Sequence, residues 1–170
     1  MGISISIFSR FRARIRCCSL YQLVGHTLKS LDTAGISIPT NNVSVVIADD
    51  ETLRALNLRY RGLDEVTDVL AFSSVYDAEE SRGYSRDRDG ERFYTGGKGY
   101  ETLGEIIISY PQMRRQSKKH ATQSKDELAL LVVHGILHLL GYDHDTPGRE
   151  GVMWALQDAV LNTRISCESF

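Results

Sequence analysis

The alternation of apolar and polar residues predicts four β-strands. From Ile3 to Phe8, isoleucines alternate with serines, which is the pattern of a strand with one buried face. The segment Val43–Ala48 is apolar and rich in β-branched residues, as expected of a central strand. Two further apolar runs, Val69–Phe72 and Leu103–Ser109, predict the third and fourth strands.

Apolar positions at helical spacing predict five helices. They cover residues 18–31, about 50–60, the first half of 112–124, 125–140, and a last segment that opens at Thr146 or Gly148. Asp49 or Asp50 caps the second helix, and Pro111 fits the first turn of the third. The helix over 125–140 is apolar enough to be largely buried. The predicted inner face of the last helix consists of Val152, Ala155, Leu156, Val160 and Leu161.

Strands interspersed with helices predict an α+β fold in a single domain over residues 1–170. We expect a small, mixed, four-stranded sheet packed with about five helices, with the helix over 125–140 in the core. A chain of 170 residues suits one such core. The segment from about 75 to 101 is rich in Gly, Ser, Asp and Arg and poor in aliphatic residues, which predicts a long exposed loop.

Composition narrows the function classes. The net charge of −2 excludes a simple polycation, so nucleic-acid binding would need a local basic surface. Three cysteines, two of them adjacent, argue against a disulfide framework and favour a cytoplasmic protein. No apolar run is long enough to span a membrane.

The first 31 residues contain no acidic residue and carry Arg10, Arg12, Arg14 and Arg16. That composition is typical of an organelle transit peptide. The strand-like alternation before these arginines favours instead a first strand followed by a basic loop.

Three histidines form the strongest chemical signal. His134 and His138 are four positions apart, so a helix places them on one face. Gly141 can take the left-handed conformation that ends a helix, and the resulting turn would bring His144 to the same point. Three imidazoles with one open coordination position are typical of a catalytic zinc site. The competing interpretation, packed core histidines, would leave two imidazoles unpaired in an apolar helix.

The residues beside these histidines limit the chemistry. Zinc proteases with similar spacing place glutamate directly after the first histidine as the general base, and here that position is Gly135. Asp143 and Asp145 flank the third histidine. We expect Asp145 to be a solvated loop acid or a helix cap, whereas Asp143 fits that role and support of a ligand imidazole equally well.

Three segments of the chain form one combination of motifs. The first is His134-Gly-Ile-Leu-His138-Leu-Leu-Gly-Tyr-Asp-His144. The second runs from Asn57 through Tyr-Arg61-Gly to Thr67-Asp68-Val-Leu-Ala-Phe72, and the third is Leu103-Gly-Glu105-Ile-Ile-Ile-Ser109. Together they resemble the YbeY family of bacterial endoribonucleases, and the resemblance covers about residues 43–157. Departures are Ala71 for serine, Glu105 for aspartate, Val66 before Thr67, and a longer 76–100 loop.

The resemblance implies a metal-dependent, single-strand-selective endoribonuclease that acts in 16S rRNA 3′-end maturation and ribosome quality control. It implies that His134, His138 and His144 are catalytic metal ligands and that Arg61 is a catalytic-site arginine. We expect one Zn²⁺, with nickel or another divalent ion as alternatives. The implied partners are single-stranded RNA and rRNA, the small ribosomal subunit and its assembly factors, with no membrane.

The residues themselves suggest how such a site would cut RNA. A divalent ion would activate water for attack on a phosphodiester, and Arg61 would hold the phosphate oxygens through its planar fork. Attack by the 2′-hydroxyl is an alternative. Glu105 and Asp68 are candidate general bases. Two basic clusters are candidate phosphate contacts: Arg54, Arg59 and Arg61, and then Arg114, Arg115, Lys118, Lys119 and His120.

Two other functions fit the same histidines. One is a zinc metalloprotease-like hydrolase, against which Gly135 argues. The other is a ribosome-binding protein with a structural metal, against which the open fourth coordination position argues.

Overall fold

The computed structural model describes residues 2–40, 42–74 and 102–165, with side chains as far as residue 163. Within these ranges lie four strands, one 3-10 helix and five α-helices. In chain order they are β1 (Ile3–Ile7), the 3-10 helix (Ser9–Phe11), α1 (Cys17–Thr33), β2 (Val43–Ala48), α2 (Asp50–Arg61), β3 (Val69–Ser73), β4 (Gly104–Ser109), α3 (Tyr110–Lys119), α4 (Ser124–Leu139) and α5 (Pro147–Ile165). The predicted α+β class is confirmed. The predicted loop over 75–101 lies outside the described residues.

The four strands form one mixed sheet in the order β1-β2-β4-β3. The first three strands in that order are parallel, and β3 runs antiparallel to β4 at the edge. Ala71 pairs with Ile106, and Leu70 pairs with Ile107. Directly paired residues share a sheet face, so Ala71 and Ile106 point to one side and Leu70 and Ile107 to the other.

Helices cover both faces of the sheet. Ile106 and Ile108 belong to the larger core, together with buried residues of α1 and α4. On the opposite face Leu53 of α2 packs with Leu70 and Ile107 in a smaller cluster. The fourth helix, α4, is buried along most of its length, as its composition predicts. None of the helices in the described ranges is long and apolar enough to cross a bilayer.

The start of α2 follows the predicted capping chemistry, and a glycine ends the helix. The Asp49 carboxylate accepts a hydrogen bond from the Thr52 backbone N–H at 2.8 Å, which makes Asp49 the cap. Gly62 ends the helix in the left-handed conformation, with φ of 71°. Arg61 is therefore the last helical residue, at the start of a sharp turn.

The predicted inner face of α5 is partly wrong. Val152 is 53% exposed and Ala155 is also exposed, whereas Met153 is fully buried. Leu156 and Val160 pack inward as predicted. The buried stripe starts one residue later than Val152, a rotation of about 100° on a helix. Position 157 lies within this stripe, although it is glutamine.

Candidate metal centre

The helical register of α4 brings two imidazoles together. The Nε2 atoms of His134 and His138 are 3.1 Å apart, and their ring centroids are 4.6 Å apart. Both side chains are partly buried at the side of the helix. The predicted shared face of the two histidines is therefore confirmed.

A glycine turn after α4 adds the third imidazole. Gly141 has a φ of 83°, its N–H bonds the His138 carbonyl, and the Tyr142 N–H bonds the Leu137 carbonyl. This pair of hydrogen bonds is the Schellman motif, which reverses the chain after a helix. The His144 ring lies 5.7 Å from that of His134 and 5.3 Å from that of His138, between centroids.

The three side chains fit a divalent metal. One ring nitrogen from each lies within 4.8 Å of the others. Zinc binds imidazole nitrogen at about 2.0–2.1 Å, so tetrahedral ligand atoms stand about 3.3 Å apart. The separation of 3.1 Å between the Nε2 atoms of His134 and His138 is close to that value. His144, the third of these side chains, is exposed on the loop.

The other ring nitrogen of His134 also has a partner. Its Nδ1 lies 3.2 Å from Oε1 of Gln157, on α5. The backbone of Tyr142, in the turn, lies close enough to the His138 ring to raise its pKa. Sequence reasoning missed Gln157. Its signal is a polar residue in the otherwise apolar inner stripe of α5.

Burial keeps the two helical histidines neutral. Burial, together with the neighbouring His134, lowers the pKa of His138 to about 4, against the charge of Asp143. Burial also lowers the pKa of His134, opposed by the hydrogen bond to Gln157. Neutral imidazole is the form that binds a metal, so no proton has to leave these rings at neutral pH.

The residue after the first histidine faces the sheet. A Cβ added at Gly135 would lie 2.8 Å from Cγ2 of Ile106, a contact that real side chains essentially never make. The helix backbone therefore lies directly against β4. Position 135 has no room for the glutamate that zinc proteases carry there.

Comparison with known proteins identifies the family. A family model described as Endoribonuclease YbeY matches residues 12–164. The chain belongs to the YbeY family.

Relatives in the YbeY family cover most of the chain. A protein named Endoribonuclease YbeY from Dehalococcoides mccartyi is 36% identical over 161 residues, which is 95% of this chain and 88% of that protein. The protein of the same name from Moorella thermoacetica is 44% identical over 119 residues, 70% of each chain. A solution structure from Thermotoga maritima has a TM-score of 0.53 at 20% identity, covering 98% of this chain and 94% of that one, which shows a shared fold.

The segment that carries the YbeY-like arginine lies on the opposite sheet face from α4. Arg61 is exposed, and the described residues give it no hydrogen-bond or ion-pair partner. Its neighbour Tyr60 packs edge-on against Phe72 of β3, with ring centroids 5.0 Å apart. On the other face, the Ser73 hydroxyl donates to the Leu139 carbonyl, at the end of α4. Both helices therefore end at the same end of the edge strand β3.

The two candidate bases lie in different environments. Glu105 pairs with Phe72 on the α2 face of the sheet and accepts a hydrogen bond from Ser44, so it points away from the histidines. Asp68 precedes β3 and accepts hydrogen bonds from the Val69 N–H and the Gln116 amide, both at 2.8 Å. It is close enough to His134 for its charge to raise the pKa of that ring. Of the two, only Asp68 is near the cluster.

The flanking aspartates act on the loop. The Asp143 carboxylate accepts a hydrogen bond from the His144 backbone N–H at 2.7 Å. It therefore holds the loop backbone. Asp145 forms an ion pair with Arg149 at 3.0 Å, as expected of a solvated acid at the start of α5.

Each of the two basic clusters contains an arginine whose charge is already paired. Arg54 forms a two-point ion pair with Asp64, and Arg115 pairs with Asp50 at 2.8 Å. Lys118 and Lys119 are exposed near the end of α3. The exposed charges with no partner among the described residues are therefore the better candidates for binding phosphate.

Proposed function

We propose that this YbeY-family chain is a metal-dependent endoribonuclease that acts on RNA in rRNA processing. A single domain over residues 1–170 carries the activity. The observation behind the proposal is the cluster of His134, His138 and His144, built in a chain whose family model is described as an endoribonuclease.

The three histidines are the proposed metal ligands, and the preferred ion is zinc. Neutral imidazoles suit Zn²⁺, and nickel is the main alternative. Such an ion supplies Lewis acidity and a water of lowered pKa. The protein's own contribution is to hold the rings neutral by burial and to orient the His134 ring through Gln157.

Arg61 is the proposed phosphate-binding residue. Its guanidinium is exposed at the end of α2, where α4 also ends on the other side of β3. A planar guanidinium can hold two non-bridging phosphate oxygens and stabilise charge that builds up on them. Asp68 is the better placed of the two candidate general bases. It would accept a proton from either a water molecule or a 2′-hydroxyl of the RNA.

The proposed substrate is single-stranded RNA, and the proposed process is 16S rRNA 3′-end maturation together with ribosome quality control. The small ribosomal subunit and its assembly factors are the proposed partners. Exposed Lys118 and Lys119 offer charge to the RNA backbone. The free thiols of Cys17 and Cys18 suit the cytoplasm, which is the proposed location.

The geometry disfavours the protease alternative. A protease of this ligand spacing needs a glutamate after the first histidine, and Ile106 occupies that space. A ribosome-binding protein with a structural metal would instead need a fourth protein ligand.

An RNA cleavage assay with matched histidine variants tests the proposal. Zinc-loaded protein should cut a fluorescent single-stranded RNA, and removal of the metal by a chelator should stop the cutting. His138→Ala should abolish activity, whereas His26→Ala, on α1 and outside the cluster, should retain it. Cleavage that survives in His138→Ala without metal would overturn the proposal. Cleavage of casein but not RNA would favour the protease.

A further inference from the structure

We propose that Gln157 is a positioning residue for the metal centre. Its side-chain oxygen accepts a hydrogen bond from the Nδ1–H of His134, which leaves the Nε2 lone pair of that ring directed at the ion. The inference rests on the proposed metal-binding role of His134, and it extends the centre to the last helix, α5.

The position of Gln157 in the fold supports this role. It lies in the stripe of α5 that packs inward, between Met153 and Val160, both of which are buried. An amide at such a place costs free energy unless it is hydrogen-bonded. Its Oε1 lies 3.2 Å from Nδ1 of His134, so the amide finds its partner on α4.

The chemistry of the two groups fixes the direction of the hydrogen bond. A neutral imidazole carries its proton on one nitrogen only, and the partner of the other nitrogen selects which one. The amide oxygen can only accept, so it stabilises the proton on Nδ1. The Nε2 atom of His134 then has a free lone pair, and this atom faces Nε2 of His138 at 3.1 Å.

A hydrogen bond from a second residue also limits how the ring can rotate. His134 is fixed at its Cβ by α4 and at its Nδ1 by α5. Removing such partners commonly costs about 10–100-fold in metal affinity. We therefore expect replacement of Gln157 to weaken metal binding more than it destabilises the fold.

Three variants of α5 test the proposal. Gln157→Leu removes the acceptor at similar size, Gln157→Glu keeps an acceptor, and Asp158→Leu is a control at the neighbouring exposed position. Zinc affinity is measured by competition with a chromogenic chelator. The fold of each metal-free variant is checked by circular dichroism and denaturation. The protonated nitrogen of His134 is read from nitrogen-15 NMR of the metal-free protein.

The expected results separate positioning from packing. Gln157→Leu should bind zinc about 10–100-fold more weakly, with an Nε2–H population appearing at His134. Gln157→Glu should bind zinc at least as tightly as the wild type, and Asp158→Leu should be unchanged. Wild-type affinity in Gln157→Leu, or a tenfold loss in Gln157→Glu, would overturn the proposal.

These results are independent of RNA cleavage. If Gln157→Leu keeps full zinc affinity while the wild type cuts RNA, the positioning role fails and the proposed function stands. If Gln157→Leu loses affinity while the zinc-loaded wild type cuts no RNA, the proposed function fails and the positioning role stands.

Discussion

Gly135 of α4 lies against Ile106 of β4 at a distance that leaves no room for a side chain. Ile106 is fully buried in the centre of the sheet, and its Cγ2 branches directly from Cβ, so it cannot swing aside. This contact sets how close the histidine-bearing helix lies to the sheet. It also explains why glycine occupies the position after His134.

The first prediction compares two glycine-to-alanine changes. Gly135→Ala should lower the free energy of unfolding by up to about 2 kcal/mol, since overpacking costs about 1–3 kcal/mol and alanine regains about 1 kcal/mol in a helix. Gly151→Ala, on α5 with open space around it, should raise stability by up to about 1 kcal/mol. Urea denaturation of the metal-free proteins measures both.

The packing explanation has its own control. Ile106→Ala removes the atoms that a new Cβ would meet, so the cost of Gly135→Ala should shrink in that background. Equal costs in the two backgrounds would contradict the explanation.

The second prediction concerns the turn that carries His144. Gly141 has a φ of 83°, and an alanine there costs about 1–2 kcal/mol. Gly141→Ala should therefore weaken zinc binding, because the left-handed turn brings the third imidazole to the cluster. Chelator competition measures the affinity. Gly148→Ala, with open space around it, is the control, and a similar loss of affinity in that variant would argue against a specific role for the turn.

Much of this centre follows from local sequence. Spacing of four on a helix fixes the meeting of His134 and His138, and a glycine after the helix predicts the turn to His144. These are properties of backbone geometry, which short segments determine by themselves.

Other features depend on tertiary packing, which local patterns do not contain. The contact of Gln157 with His134 joins two helices across 23 positions of sequence. The separation of Glu105 from the histidines depends on strand register, which decides the sheet face. Val152 was predicted to be buried because it is apolar. The packing of α5 buries Met153 instead.

The third prediction is a loss of stability in mild acid. Burial, helped by the nearby His134, lowers the pKa of His138 to about 4, whereas an unfolded histidine has a pKa of about 6.5. Between these values the unfolded chain binds a proton that the folded chain does not. The free energy of unfolding should therefore fall as the pH decreases from about 6.5 towards about 4.

Denaturation midpoints of metal-free protein across this range measure the effect. His134 contributes in the same direction, because burial lowers its pKa as well. His138→Gln should flatten the profile, since the amide does not titrate. A profile of the same slope in His138→Gln would show that other groups cause the loss.

The last prediction separates metal binding from phosphate binding. Arg61→Ala should slow cleavage of single-stranded RNA by about 100-fold or more, the scale seen when one preorganised donor to a transition-state oxygen is removed. Zinc content should stay at the wild-type level, because Arg61 lies at the end of α2 and does not belong to the histidine cluster. Arg61→Lys should recover only part of the rate, since an ammonium cannot hold two phosphate oxygens in a planar fork.

Arg54→Ala is the matched control on the same helix. Arg54 is already paired with Asp64, so its loss should affect the rate little. Loss of zinc in Arg61→Ala would assign Arg61 a structural role at the centre. Full recovery by lysine would reduce its contribution to a single positive charge.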